Sequence, residues 1–301
     1  MSIGSNKNVY TIEIDDKNIF YNSSEIINQV AQMKNFSCKC DCDKLKNKLL
    51  ETTTSQYYVN DKNVDYDLDL NIDSSSNSNL QIPVIFVITP TYMRPTQMAD
   101  MTRLAQTLML IKNIFWVVSE DSTKPNIQVS SLLNRTGIPH VHLLGPRPNT
   151  HLDKRSGRGV SNRLRALKWL RETYTNTNQQ GVIYFADDDN AYDIRIFDEI
   201  RDTKKISVFP VGLIAKIGLS TPILSSKDGK IIGFHDPFIG RRKFAIDMAG
   251  FAVNLQLFLR KTKATMPYKV GYEEDYFIKS LEVPLDQFEP KAAKCTQVIF
   301  N

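Results

Sequence analysis

Between Ile82 and Ala186 short β-branched apolar runs alternate with stretches of helical period, and this alternation restricts the chain to a layered α/β fold. Val84-Ile-Phe-Val-Ile88 reads as a buried strand that runs out into Thr89-Pro90-Thr91-Tyr92. Met98, Met101, Leu104, Ala105 and Leu108 then recur on one face of a helix over residues 96–111. The strand Ile114-Phe-Trp-Val-Val118 ends in Ser119-Glu120-Asp121. A helix over 126–133 leads to a strand at 140–144. A helix over 159–173, with Val160, Leu164, Leu167 and Leu170 inward, leads to Gly181-Val-Ile-Tyr-Phe-Ala186. This order predicts a mostly parallel sheet with helices on both faces. Ligands of such sheets sit beyond the carboxyl ends of the strands. Pro90, Tyr92, Asp121 and the run Asp187-Asp188-Asp189 all fall at those ends.

The three aspartates carry the chemistry. Adjacent carboxylates repel, and a strand that releases three of them from a core has a use for a cation. Hard oxygen ligands suit Mg²⁺ or Mn²⁺. An ion held there would neutralise a diphosphate leaving group. An EF-hand does not fit, because Tyr192 stands where the loop glycine belongs and Asp198 where the bidentate glutamate belongs. An acidic helix start before Ile194–Phe197 is the plainer explanation of the same run.

Past residue 200 the pattern is less regular. Strands are expected at 206–211, 231–235 and 248–253, with antiparallel pairing around Lys227-Asp-Gly-Lys230. Glu273, Glu274 and Asp275 open a helix over 273–281. They either cap its positive end or supply a general base, and the pattern does not select one. Gly157-Arg-Gly159-Val-Ser-Asn162 lacks the third glycine of a dinucleotide fingerprint and follows a polar stretch, not a strand. Arg158 and Arg163 at the same helix start suit phosphate or carboxylate, although an ordinary exposed face explains that spacing too. His140 and His142 share one strand face with no third ligand, which is a structural arrangement.

Composition fits a globular domain, 42% hydrophobic and 24% charged, with a net charge of +5. That balance accommodates an anionic ligand. No basic run with interleaved aromatics points to nucleic acid. Of the four cysteines, Cys38, Cys40 and Cys42 form C-x-C-x-C, a poor match to zinc spacing, and Cys295 stands apart. Sequons occur at Asn22, Asn35 and Asn134. Residues 1–81 are rich in Asn, Asp, Lys and Ser, with a short helix expected at 43–52, and read as a largely disordered stem or tail. No signal peptide is visible. No apolar stretch approaches the ~18–20 residues of a membrane-spanning helix.

Five longer motifs are specific: Val87-Ile-Thr-Pro-Thr-Tyr92, Tyr184-Phe-Ala-Asp-Asp-Asp-Asn190, Phe209-Pro-Val-Gly-Leu213, Asp247-Met-Ala-Gly-Phe-Ala-Val253 and Leu285-Asp-Gln-Phe-Glu-Pro-Lys-Ala-Ala-Lys-Cys-Thr296. In order and with few gaps over 82–300, they resemble the animal β-1,3-glucuronosyltransferases. These are Golgi type II membrane proteins that move glucuronic acid from UDP-glucuronate to a terminal galactose of a glycan or proteoglycan. The resemblance implies a glycosyltransferase-A-like α/β fold. Its donor-nucleotide half would be mostly parallel (82–200), and its acceptor half a mixed sheet (201–301).

It also implies roles. Pro90, Tyr92 and Asp121 would line the uridine pocket, Arg158 and Arg163 would hold the donor, and Asp187 and Asp188 would contact donor sugar and ribose. Asp189 would ligate Mn²⁺. Gly271-Tyr-Glu-Glu274 matches the family's Gly-x-x-Glu and selects Glu274 as base, while Arg242 and Asp247 match acceptor-site positions. The mechanism implied is a single in-line, inverting displacement. Members of the family form homodimers. They carry a membrane anchor, and a Trp-His-Thr-Arg ending that touches the diphosphate. This sequence reaches Asn301, one position before that histidine, so a carboxy-terminally truncated chain is expected. A glutamate that touches the acceptor in the family aligns with Ser220. The alternative is a non-catalytic or weakly active relative that binds nucleotide or glycan; the ending and Ser220 favour it, and Asp187–Asp189 and Glu274 oppose it.

Overall fold

A computed structural model describes residues 82–151, 157–214 and 218–298, all within the compact unit Asp67–Asn301. The expected stem over 1–81, the helix at 43–52, Cys38, Cys40, Cys42 and the sequons at Asn22 and Asn35 lie outside the described residues.

The centre is a seven-stranded sheet. Strand β1 (Val84–Thr91) lies between β2 (Ile114–Glu120) and β4 (Gly181–Phe185), parallel to both, and β3 (His140–Leu144) continues parallel beyond β2. On the other side β9 (Phe251–Asn254) runs antiparallel to β4 and to β5 (Ile206–Val208), and β10 (Phe288–Pro290) closes the edge parallel to β5. The strand alternation of β1 assigns its two faces. Phe86 and Ile88 pack with Val160, Leu167 and Leu170 of helix α3 (Val160–Tyr174). Ile85 and Val87 pack with Met101 and Leu104 of α1 (Gln97–Leu108), and with Leu132 and Leu133 of α2 (Ile127–Thr136). Helices thus cover both faces, as expected of a parallel sheet. The helix α4 (Arg195–Ile200) follows β4, and α5 (Leu255–Arg260) follows β9.

Strand β1 runs three residues past the expected Ile88. Its pairing with β2 continues to Thr91↔Glu120 after β4 has ended at Phe185. The carbonyl of Ile88 faces β4, where it accepts from Ala186 N. Pro90, two residues on, therefore turns its missing N–H toward the side with no strand, which is where a proline is tolerated. The expected strand at 206–211 is two: β5 stops at Val208 and β6 (Val211–Ile214) belongs to a second sheet with β7 (Gly218–Leu224) and β8 (Ile231–His235). The antiparallel pair β7–β8 flanks the Lys227–Lys230 turn as the sequence indicated. Residues Met248–Gly250 form a 3₁₀ turn, not the start of a strand, because Asp247 caps Ala249 N at 2.9 Å.

β5, β9 and β10 come from the half expected to hold the acceptor, yet they complete the central sheet. The two halves therefore share one core. His142 sits between Glu120 Oε2 (3.1 Å) and Ser130 Oγ (2.9 Å), and His140 bonds the Ile138 carbonyl at 2.7 Å. Burial holds the His140 pKa below its usual value. Both serve the packing of β3. Among the described residues no helix is long and apolar enough to cross a membrane.

Candidate active site

A cleft of about 600 Å³ opens beyond the carboxyl end of β4, facing the start of helix α6 (Glu273–Ser280). Asp187, Asp189, Arg158, Arg163, Asp247 and Glu274 all line it, so six residues drawn from between Arg158 and Glu274 in the sequence meet at one sheet edge.

Arg163 is buried, and its Nη2 lies 2.5 Å from Asp187 Oδ1. Burial alone would lower its pKa, but Asp187, with Glu274 and Glu273, outweighs burial and raises it. Two glycines make room. Gly159, with φ +76°, caps α3 in a conformation that few side chains adopt, and a Cβ there would lie 2.7 Å from Arg163 Nη1. A Cβ on Gly157 would clash with Glu273 Oε1 and would lie 2.9 Å from Val160 Cγ2. The near-fingerprint of the sequence is therefore a packing device that lets α3 approach α6. Gly157→Ala is expected to lower stability by about 1–3 kcal/mol through overpacking. A thermal melt checks it; an unchanged Tm would show that Glu273 swings aside freely.

The other strand ends spread along the same edge. Asp189 is exposed on the cleft wall, with no hydrogen bond or ion pair to the described residues. Asp188 does not share that face. It is 4% exposed, and both its oxygens are bound, to Arg94 (2.8 and 2.9 Å) and Thr91 Oγ1 (2.7 Å). Tyr92 is exposed, with the guanidinium of Arg158 5.7 Å from its ring centre. Pro90 is buried and faces Gly159. Asp121 accepts Arg147 N at 2.7 Å.

Glu274 occupies the opposite wall. Its Oε2 is buried without a hydrogen-bond partner among the described residues; Arg242 Nη1, at 3.9 Å, is too distant to serve. Burial pushes its pKa up to about 7, and the charges of Glu273 and Asp247 add to the shift. Such a carboxyl is poised to exchange a proton near neutrality. The Asp247 pKa is raised as well, chiefly by burial. Asp275, fully buried, anchors the helix by accepting Lys243 N (2.8 Å) and Phe244 N (2.9 Å). Arg242 stands behind Glu274, its Nη2 2.6 Å from Asp236 Oδ1. The other oxygen of Asp236 accepts Ser220 Oγ at 2.6 Å. Ser220 is fully buried, so it braces Asp236 and does not reach the cleft.

No group of three Asp, Glu, His or Cys side chains forms a closed metal cage among the described residues. Asp189 is nevertheless a free carboxylate at the cleft wall. One carboxylate, with water and substrate phosphates completing the shell, is how Mg²⁺-like ions are commonly held. The donor set fits that kind of ion and does not fit zinc.

Arg94 and Asp236 were not singled out from sequence. Arg94 sits in the loop before α1 between Met93 and Pro95, and Asp236 follows a hairpin; only the fold brings each to its partner.

Residues 104–301 match the model of glycosyltransferase family 43. Among relatives, galactosylgalactosylxylosylprotein 3-beta-glucuronosyltransferase S of Drosophila melanogaster is 44% identical over 221 residues, 73% of this chain and 53% of that protein. The enzyme numbered 1 of that name in Homo sapiens is 42% identical over 228 residues, 72% of this chain and 68% of that protein. The chain spans about half the length of the fly relatives it matches.

Proposed function

Since the chain belongs to glycosyltransferase family 43, we propose that it transfers glucuronic acid from UDP-glucuronate to the 3-hydroxyl of a terminal galactose, with inversion at the anomeric carbon. The observation that carries this reading is Glu274: a buried carboxyl with a pKa of about 7 and a bare oxygen, in the same cleft as Asp187, Asp189, Arg158 and Arg163. The names of the relatives supply the sugar donor class and a galactose-ended acceptor.

The wall formed by Arg158, Arg163 and Asp189 takes the donor, with the arginines toward its anionic groups. Tyr92 offers an exposed ring at the nucleotide end. Asp189 is the residue that would hold Mn²⁺, whose charge offsets that developing on the leaving diphosphate. Glu274 removes the proton from the galactose hydroxyl as that oxygen attacks the anomeric carbon. One displacement from the far face converts an α-linked donor into a β-linked product, so no nucleophilic side chain is required. Asp247 lines the Glu274 side of the cleft and, with Arg242 behind Glu274, forms the acceptor end.

Incubation with UDP-glucuronate, Mn²⁺ and a galactose-terminated disaccharide is expected to release UDP and give a β-1,3-linked glucuronide, with EDTA suppressing both. Failure of the protein to bind or consume UDP-glucuronate under those conditions would reject the reading.

A further inference from the structure

The three aspartates after β4 do not act alike. Asp187 and Asp189 line the cleft, whereas Asp188 between them does not. The carboxylate of Asp188 is held at two points, Oδ1 by Arg94 Nη2 at 2.8 Å and Oδ2 by Arg94 Nη1 at 2.9 Å. Arg94 has little freedom of its own. Its Nη2 also bonds Asp100 Oδ2 at 2.8 Å, its Nε lies 3.2 Å from Thr96 Oγ1, and its side chain is only 12% exposed. The same guanidinium lies 4.9 Å from the centre of the Tyr92 ring.

One planar group therefore touches the end of β1, the first turn of α1 and the loop after β4. Thr91 Oγ1 gives Asp188 a third bond and itself accepts Gln97 Nε2 at 2.9 Å. Gln97 Oε1 accepts Asn126 Nδ2 at 3.2 Å, which ties this cage to the residue that caps α2. Every strong donor of Arg94 points inward, so its effect on a ligand passes through the residues it holds.

We propose that Arg94 is a positioning residue for the donor wall: by clamping Asp188 and bracing Tyr92 it sets where Asp187, Asp189 and the tyrosine ring stand. Asp188 on this account is the anchor through which Arg94 acts. The inference rests on the donor reading given above. The fork geometry is what matters, since lysine keeps the charge but presents a single point and cannot hold both oxygens.

The test is a double-mutant cycle with Arg94→Lys, Asp188→Asn and the pair, read by calorimetric binding of UDP in the presence of Mn²⁺. It is read also by hydrogen exchange over residues 186–190 in the ligand-free protein. Each single variant is expected to weaken UDP binding about tenfold, the worth of a charge-assisted contact. The pair is expected to bind no worse than the weaker single, because both act through one contact. Exchange over 186–190 is expected to rise in Arg94→Lys while the core of β1 and β2 stays protected.

Multiplying losses, roughly a hundredfold in the pair, would mean that Arg94 and Asp188 act independently of one another and would overturn the inference. Unchanged UDP affinity in Arg94→Lys, or unchanged exchange over 186–190, would overturn it too. If the unmodified protein binds no UDP, the donor reading is what fails, and the exchange data alone decide the clamp.

Discussion

Glu274→Gln is expected to abolish transfer, by a factor of about 10²–10⁴, and at the same time to make the protein more stable at pH 8. The two effects share one cause. Burial raises the Glu274 pKa from 4.5 to about 7, so the fold opposes the charged form that a base must adopt. Between those values the native state binds more protons than the unfolded state, and stability falls as pH rises. Above about pH 7 the full cost is present, on the order of 3 kcal/mol as an upper figure. Glutamine has the same shape and no charge, so it escapes that cost. The Tm of the variant should exceed that of the parent at pH 8, and the gap should close as pH falls toward 4.5. Activity of the parent should climb with pH through about 7 and then level off, because only the ionised carboxylate accepts the proton. UDP binding should survive in the variant. Retained turnover in Glu274→Gln would remove this residue from the role of base, and a Tm lowered at pH 8 would show that its burial is not under strain.

Much of the sheet edge that carries the cleft was legible because parallel strands have a strong signal. Continuous apolar runs such as Val84–Ile88 and Gly181–Ala186 leave little choice of structure, and strands parallel to one another must deliver their ends to one edge. Pro90, Tyr92, Asp121 and Asp187 therefore fall together on sequence pattern alone. Two things were hidden. Short strands such as β5, β6 and β9 have three or four residues each, too few for periodicity to mark where Phe209-Pro210 breaks one strand into two sheets or where Asp247 turns a strand start into a 3₁₀ turn. The other is partnership between distant polar residues. Asp188 was grouped with Asp187 as a donor contact, and only the 94-residue separation closed by the fold shows it engaged by Arg94. Likewise Ser220 stood at a position expected to face the acceptor, but β7 turns it inward to Asp236.

The ion pair between Asp236 and Arg242 gives the remaining large effect. Arg242 and Asp236 are 4% and 7% exposed in their side chains and lie 2.6 Å apart. Asp236 also accepts Phe238 N at 2.8 Å, while Arg242 donates to the Phe238 carbonyl and stacks 5.0 Å from its ring centre. Arg242→Met would leave the carboxylate buried with no counter-charge, a loss of about 3–5 kcal/mol. Adding Asp236→Asn removes that charge, and the amide can still accept Phe238 N. The pair of changes should therefore recover much of the stability. Transfer should not recover with it, because the double variant still lacks a guanidinium beside Glu274. The KM for a galactose-terminated acceptor should stay raised in both variants while the Tm returns. Should the acceptor KM return with the Tm, Arg242 would be a support for the loop at 236–242 and not part of the acceptor end, and the recognition of galactose would have to come from Asp247 and its neighbours on the Glu274 wall.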